Sequence, residues 1–287
     1  MTLKKGIKRI FDSIKEHPRV LYREGMEAGF MQDYEEAIEK FDRVNYISIG
    51  SNFFKTQAAF YKAVALDELE KHQEAVEVYE KYLENNDEDA SAWTNLGVAY
   101  SNLEKYEDAL KCFGNALANE KDDAIMWANK AEVLVDLERP EEALEFCNKA
   151  LELRNDDVLA LVTKSEALVD LDKFDESIAI CKKLIQVDPE NFYVWNLLGI
   201  AYMEFTDEYQ EALSCFEKGL KLEPAEEMLW YNKACVLSLM NKQEDALDAL
   251  FVAISIGPEN ITTISDEADL DNIKNSERFK KFLTIEV

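Results

Sequence analysis

An all-α chain of stacked helix hairpins is what this sequence predicts, and three observations predict it. Glycine and proline are scarce, 9 and 5 of 287 residues, against usual shares of about 7% and 5%. Strands joined by tight turns consume both, so the scarcity favours helices with short connections. All four tryptophans share one lattice: Trp93, Trp127, Trp195 and Trp230 stand at steps of 34, 68 and 35. An acidic residue followed by a small one recurs seven times, at Glu36-Ala37, Glu74-Ala75, Asp108-Ala109, Glu142-Ala143, Glu176-Ser177, Glu211-Ala212 and Asp245-Ala246. A uniformly small series, Gly25, Ala63, Gly97, Ala131, Ser165, Gly199 and Ala234, keeps the same period. Independent series with one period near 34 are the signature of a repeat architecture.

The elements follow in order. Residues 1–17 form a capping helix, with Leu3, Ile7, Ile10, Phe11 and Ile14 on one face. Seven repeats then occupy 18–55, 56–89, 90–123, 124–157, 158–191, 192–226 and 227–260. In residues 90–123, Trp93, Leu96, Gly97 and Tyr100 make one helical stripe. The polar break Glu104-Lys105 follows, and a second stripe runs through Tyr106, Ala109, Leu110, Phe113, Ala116 and Leu117. Gly97 and Ala109 mark the close crossing of the two helices, with the large rings filling space beside it. Pro189, Pro224 and Pro258 stand where a helix must stop. The first repeat lacks the Trp and carries about four extra residues near 49–51, so its second helix should be longer or its exit loop irregular. Residues 261–287 form a C-terminal capping segment, with Leu270, Ile273, Phe279, Phe282 and Leu283 covering the last hairpin. Open solenoid ends need such covers.

Trp195, Leu198, Gly199, Tyr202, Ala212, Phe216, Gly219 and Pro224 reproduce, with one inserted residue, the pattern of the tetratricopeptide repeat (TPR) family. The sequence resembles that family over roughly 85% of its length. The resemblance implies an all-α, right-handed superhelical solenoid whose first helices line a concave groove. It also implies a non-catalytic protein-interaction scaffold, with a specialised chaperone or assembly factor holding one client as the alternative.

Charge narrows the partner. With 59 acidic and 32 basic residues the net is −27, a poor match for nucleic-acid phosphates. No apolar run is long enough to span a bilayer, no leader is evident in the first twenty residues, and the expected location is the cytoplasm. The family's inward positions, numbered with Trp as 4, place Asn95, Asn129 and Asn232 where an amide can bond a peptide backbone. The same alignment puts Asp67, Glu68, Glu132, Asp136, Glu166, Asp170 and Glu204 along the groove. Tyr61, Tyr193 and Tyr231, with Val98, Ile125, Leu159, Leu197 and Ile200, add aromatic and aliphatic contact. Lysine falls beside the groove, at Lys62, Lys130, Lys164 and Lys233. An acidic, partly apolar groove suits a basic or amphipathic peptide. Residues 1–23 carry net +5, leaving −32 for the rest, so self-association through the N-terminal helix is a further expectation.

The TPR subclass that clamps chaperone C-terminal carboxylates uses groove Lys and Arg, which this chain lacks outside Arg19 and Arg23, so no such binding is expected. No catalytic, cofactor or metal constellation is visible. His17 and His72 have no partner at metal-ligand spacing, and no two glycines lie within three residues. Cys112, Cys147, Cys181 and Cys215 repeat at the hairpin period, which places them on different helices as small core residues rather than as disulfides.

Overall fold

The computed structural model describes residues 17–47, 52–120, 122–206, 208–257 and 268–282. Most of the N-terminal cap, residues 49–51, Pro258 and Leu283 lie outside this set. The chain forms two compact units, one ending at Leu137 and the other beginning at Glu138. Among the described residues there is no strand.

The first unit holds α1 (Pro18–Phe30), α2 (Tyr34–Tyr46), α3 (Asn52–Glu68), α4 (His72–Leu83), α5 (Ala90–Asn102), α6 (Tyr106–Asn119) and α7 (Ala124–Asp136). The second holds α8 (Pro140–Leu153), α9 (Val158–Asp170), α10 (Phe174–Val187), α11 (Phe192–Thr206), α12 (Tyr209–Leu222), α13 (Glu227–Leu239) and α14 (Gln243–Ile256). A 3₁₀ turn (Ala268–Leu270) and two short helices, α15 (Asp271–Lys274) and α16 (Glu277–Phe282), close the second unit. Within each unit every helix packs on the next. The helix α2 is 13 residues long, within the range of 12 to 14 of the other second helices, so it is not lengthened; the exit loop at 48–51 lies outside the described residues, and α3 runs to 17 residues. The stretch NFFKTQAAF contains no helix breaker, so nothing stops α3 from starting early.

Three devices set the hairpins. First, aspartates cap the first helices: Asp89 accepts from Ala92 N at 3.1 Å, Asp123 from Ile125 N at 2.8 Å and Asp157 from Ala160 N at 2.9 Å. Each satisfies an amide the helix start leaves without a partner. These caps form a fourth series at period 34 that the hydrophobic pattern does not reveal. Second, the turn inside the hairpin passes through a left-handed residue, at Gln32, Glu70, Glu104, Glu138, Asp172 and Asn241, with φ between 55° and 60°. Third, tryptophan ties down the loop between repeats. The indole Nε1 of Trp93, Trp195 and Trp230 donates to the carbonyl six residues earlier, at Asp87 (2.8 Å), Pro189 (2.9 Å) and Pro224 (2.9 Å).

Size matching fixes the crossing. A Cβ built on Gly25, Gly97 or Gly199 would lie 2.7, 2.6 or 2.4 Å from the ring of Phe41, Phe113 or Phe216. Where the small residue is Ser165, its hydroxyl is 2.8 Å from Ser177 Oγ and 3.0 Å from Cys181 Sγ, so a buried polar trio replaces the glycine–ring contact. Leu270, Ile273 and Phe279 are buried in the cluster of the last hairpin, covering its apolar side. All five cysteines are buried thiols.

Candidate functional site

Within each unit the hairpins stack in sequence, so alternate helices come side by side. In the first unit α1 touches α3, α3 touches α5 and α5 touches α7; in the second α9 touches α11 and α11 touches α13. Each unit therefore presents a face made of first helices, and the sequence-predicted site residues ride on those helices.

In the first unit, Tyr61 on α3 is half-buried among Tyr22 and Phe41, with ring centroids 6.2 and 6.4 Å away. Asp67 Oδ1 sits 2.6 Å from His72 Nδ1. Glu68 accepts a hydrogen bond from the Tyr34 phenol at 3.1 Å. The Asn95 amide hydrogen-bonds Tyr79, whose phenol is pushed well above its ordinary range by burial and then by the Asp67 and Glu68 carboxylates. Asn129 on α7 is half-buried, while Glu132 and Asp136 are exposed.

In the second unit the Tyr193 phenol on α11 donates to Glu166 Oε1 on α9 at 2.5 Å. Asn232 Nδ2 donates to Asn196 Oδ1 at 2.8 Å, and Asn196, almost wholly buried, donates in turn to Met228 Sδ at 3.4 Å. Asn196 is the polar residue that the sequence pattern missed; it stands one place from the asparagine position of the other repeats. Asp170 and Glu204 are exposed, and Tyr231 is half-buried. Leu197 is 3% exposed and belongs to the core, so it offers no groove contact.

Acids outnumber bases on these first helices, with Arg19 and Arg23 exposed on α1. Asp136 and Asp170 each end a helix, where carbonyl dipoles already disfavour an anion. Both residues keep an exposed face, yet desolvation by the surrounding protein raises each carboxyl's pKa above the usual carboxylate range, with Glu138 adding to the effect at Asp170. Three of the four position-7 lysines turn toward the preceding hairpin. Lys62 Nζ lies 2.6 Å from Asp42 Oδ1, Lys164 Nζ 2.7 Å from Asn148 Oδ1 and Lys233 Nζ 3.4 Å from Glu217 Oε1. Among the described residues, no three His, Cys, Asp or Glu side chains gather so as to hold a metal ion. Likewise no described helix is long and apolar enough to cross a membrane.

Comparison with known proteins agrees with this geometry. Profiles of the tetratricopeptide repeat match residues 60–101, 94–158, 134–202 and 192–226, together spanning more than half of the chain. A tetratricopeptide repeat protein from Parabacteroides merdae superposes with a TM-score of 0.69 at 17% identity, over 93% of this chain and 97% of that one. PilW, a type IV pilus biogenesis factor, gives 0.59 at 18% identity over 80% and 98%. YrrB, a TPR protein with an unusual peptide-binding site, gives 0.50 at 24% identity over 61% and 90%. At these identities the likeness is one of fold. A Schizosaccharomyces pombe N-terminal acetyltransferase A complex subunit-like protein is 31% identical over 62 residues, 22% of this chain and only 9% of that protein's length. The period, the hairpins and the matched profiles agree: the chain belongs to the tetratricopeptide repeat family.

Proposed function

We propose that this protein is a non-catalytic interaction scaffold whose first-helix faces bind a basic or amphipathic peptide segment of a protein partner. One observation carries the reading. Exposed carboxylates stand along the first helices of both units, at Glu68, Glu132, Asp136, Asp170 and Glu204, and two of them, Asp136 and Asp170, close their helices, where carbonyl dipoles and partial desolvation make their charge unfavourable. A partner's cation placed there relieves that cost, whereas an acidic partner adds to it. The aromatic rings of Tyr61, Tyr193 and Tyr231 supply apolar contact beside the charges. Asn95 and Asn232 already bond within the protein, so a peptide backbone would have to compete for their amides; Asn129 is the third candidate.

The test is a titration of fluorescein-labelled Lys/Leu peptides into the full chain across ionic strength. Exposed charges are screened within about 10 Å at 0.1 M salt, so affinity should fall as salt rises from 50 to about 300 mM. Salt-indifferent binding, or tighter binding of a Glu/Leu peptide of the same length, would refute the proposal.

A further inference from the structure

Where α1 and α3 run side by side over α2, the first unit contains a cavity of about 280 Å³. Its walls are Gly25, Met26 and Gly29 of α1, Tyr61, Val64 and Glu68 of α3, with Ala37 and Phe41 of α2 beneath. It stays open because α1 carries Gly29 where a side chain would fill the space, whereas the space beside Gly25 is already taken by the Phe41 ring. A Cβ on Gly29 would have Ala37 Cβ as its nearest neighbour, at 4.0 Å. Phe30, on the rim, is 88% exposed and the adjoining Met31 77% exposed. Large apolar side chains held this open to water, beside an apolar hollow, mark an interaction site.

Resting on the proposed peptide-binding role, we infer that this cavity is the anchor pocket for one large apolar side chain, leucine, methionine or phenylalanine, of a basic partner peptide. Size and charge both point there. The volume falls just short of the roughly 300–1,000 Å³ of sites for whole small molecules, which suits a single inserted side chain. Among the described residues lining it, Glu68 brings the one carboxylate, held by the Tyr34 phenol at 3.1 Å, with Asp67 its neighbour in sequence. A lysine or arginine flanking the inserted residue would meet these acids, and an acidic flank would be repelled. Phe30 and Met26 would then cover the inserted chain, removing apolar surface of both partners from water.

The experiment measures binding of a panel of labelled nine-residue lysine-rich peptides to the full chain. The peptides differ only in the central residue: Ala, Leu, Met, Phe or Glu. Burial of the larger side chain should tighten binding about tenfold for Leu, Met or Phe over Ala, allowing for the open side of the pocket. Gly29→Leu fills the hollow from within and should bring the Leu-to-Ala ratio down to about one. Its thermal unfolding shows that the helix is intact, and Glu68→Gln, which leaves the hollow open, should weaken every lysine-rich peptide but keep the ratio. Equal affinity of the Leu and Ala peptides for the natural chain, or a preference that survives Gly29→Leu, would overturn the pocket while leaving the acidic-face reading intact. Failure of every peptide to bind would overturn both. Sedimentation of the protein alone adds one outcome: a dimer that Gly29→Leu dissociates would put a second copy in the pocket and refute the peptide assignment.

Discussion

Substituting Gly97 by alanine tests whether ring-against-glycine contact sets the hairpin crossing. Two terms oppose each other. Alanine is favoured over glycine within a helix by about 1 kcal/mol. Against that, the new Cβ would lie 2.6 Å from Phe113 Cε1 and 2.9 Å from its Cζ. Phe113 is 0% exposed, packed with Ala109 and Val133, so its ring can retreat only by disturbing neighbours. Overfilling such a site costs about 1–3 kcal/mol, leaving a net loss of up to about 2 kcal/mol. Gly114, on the partner helix α6 of the same hairpin, has nothing within 4 Å of a built Cβ. There the same substitution should stabilise by about 1 kcal/mol. Urea unfolding followed by circular dichroism compares the two within one repeat, which matters because array stability is a sum over repeats and their interfaces. Adding Phe113→Leu to Gly97→Ala should recover part of the loss, since the last repeat combines Ala234 with Leu250, both fully buried. A Gly97→Ala variant stabilised as much as Gly114→Ala would refute the size-matching argument.

Further expectations concern the turns, the acids and the buried groups. Glu104 has φ 57°, a region that costs a non-glycine residue about 1–2 kcal/mol, so Glu104→Gly should raise the unfolding midpoint by the equivalent of about 1 kcal/mol. Asp136 and Asp170 have carboxyls raised by burial. The folded state therefore holds those protons more tightly than the unfolded chain, and stability falls as pH rises through the raised carboxylate range. Asp136→Asn and Asp170→Asn should thus stabilise modestly at pH 7 and not below about pH 4, while weakening lysine-rich peptides by up to about fivefold; loss of stability at pH 7 would contradict this. Burial pushes the Cys112 and Cys147 thiols up to about 12 and that of Cys215 up to about 11. Thiol reagents at pH 8 should therefore label them only after denaturation, and rapid labelling of the native protein would refute their burial. The Ser238 hydroxyl is buried without a hydrogen-bond partner, so Ser238→Ala should leave stability unchanged or raise it by about 1 kcal/mol in thermal unfolding.

Much of the fold was legible because a repeat writes the same packing problem seven times. The small series marks one side of each helix crossing, and Gly25–Phe41, Gly97–Phe113 and Gly199–Phe216 show that contact directly. The tryptophan lattice was readable too, although its hydrogen bond to the loop carbonyl was not. The aspartate caps were present at the same period, yet in a chain with 59 acids a periodic aspartate does not stand out. Left-handed turns at Glu70, Glu104 and Glu138 also escape the sequence, since glutamate carries none of the signal that glycine would.

The sequence by itself determined that the chain is helical, that its hairpins recur every 34 residues, and that its first helices carry more acid than base. Local periodicity and composition suffice for that, because helix pairing depends on residues close in the chain. Only the tertiary structure decided which groups remain available to a partner. Asn95 is taken by Tyr79 and Asn232 by Asn196, Glu166 receives Tyr193, and Lys62, Lys164 and Lys233 turn back to the preceding hairpin. It also revealed the hollow beside Gly29, between the first two repeats, neither of which carries the tryptophan mark. Such facts depend on distances between side chains of different repeats, which no spacing along one helix contains.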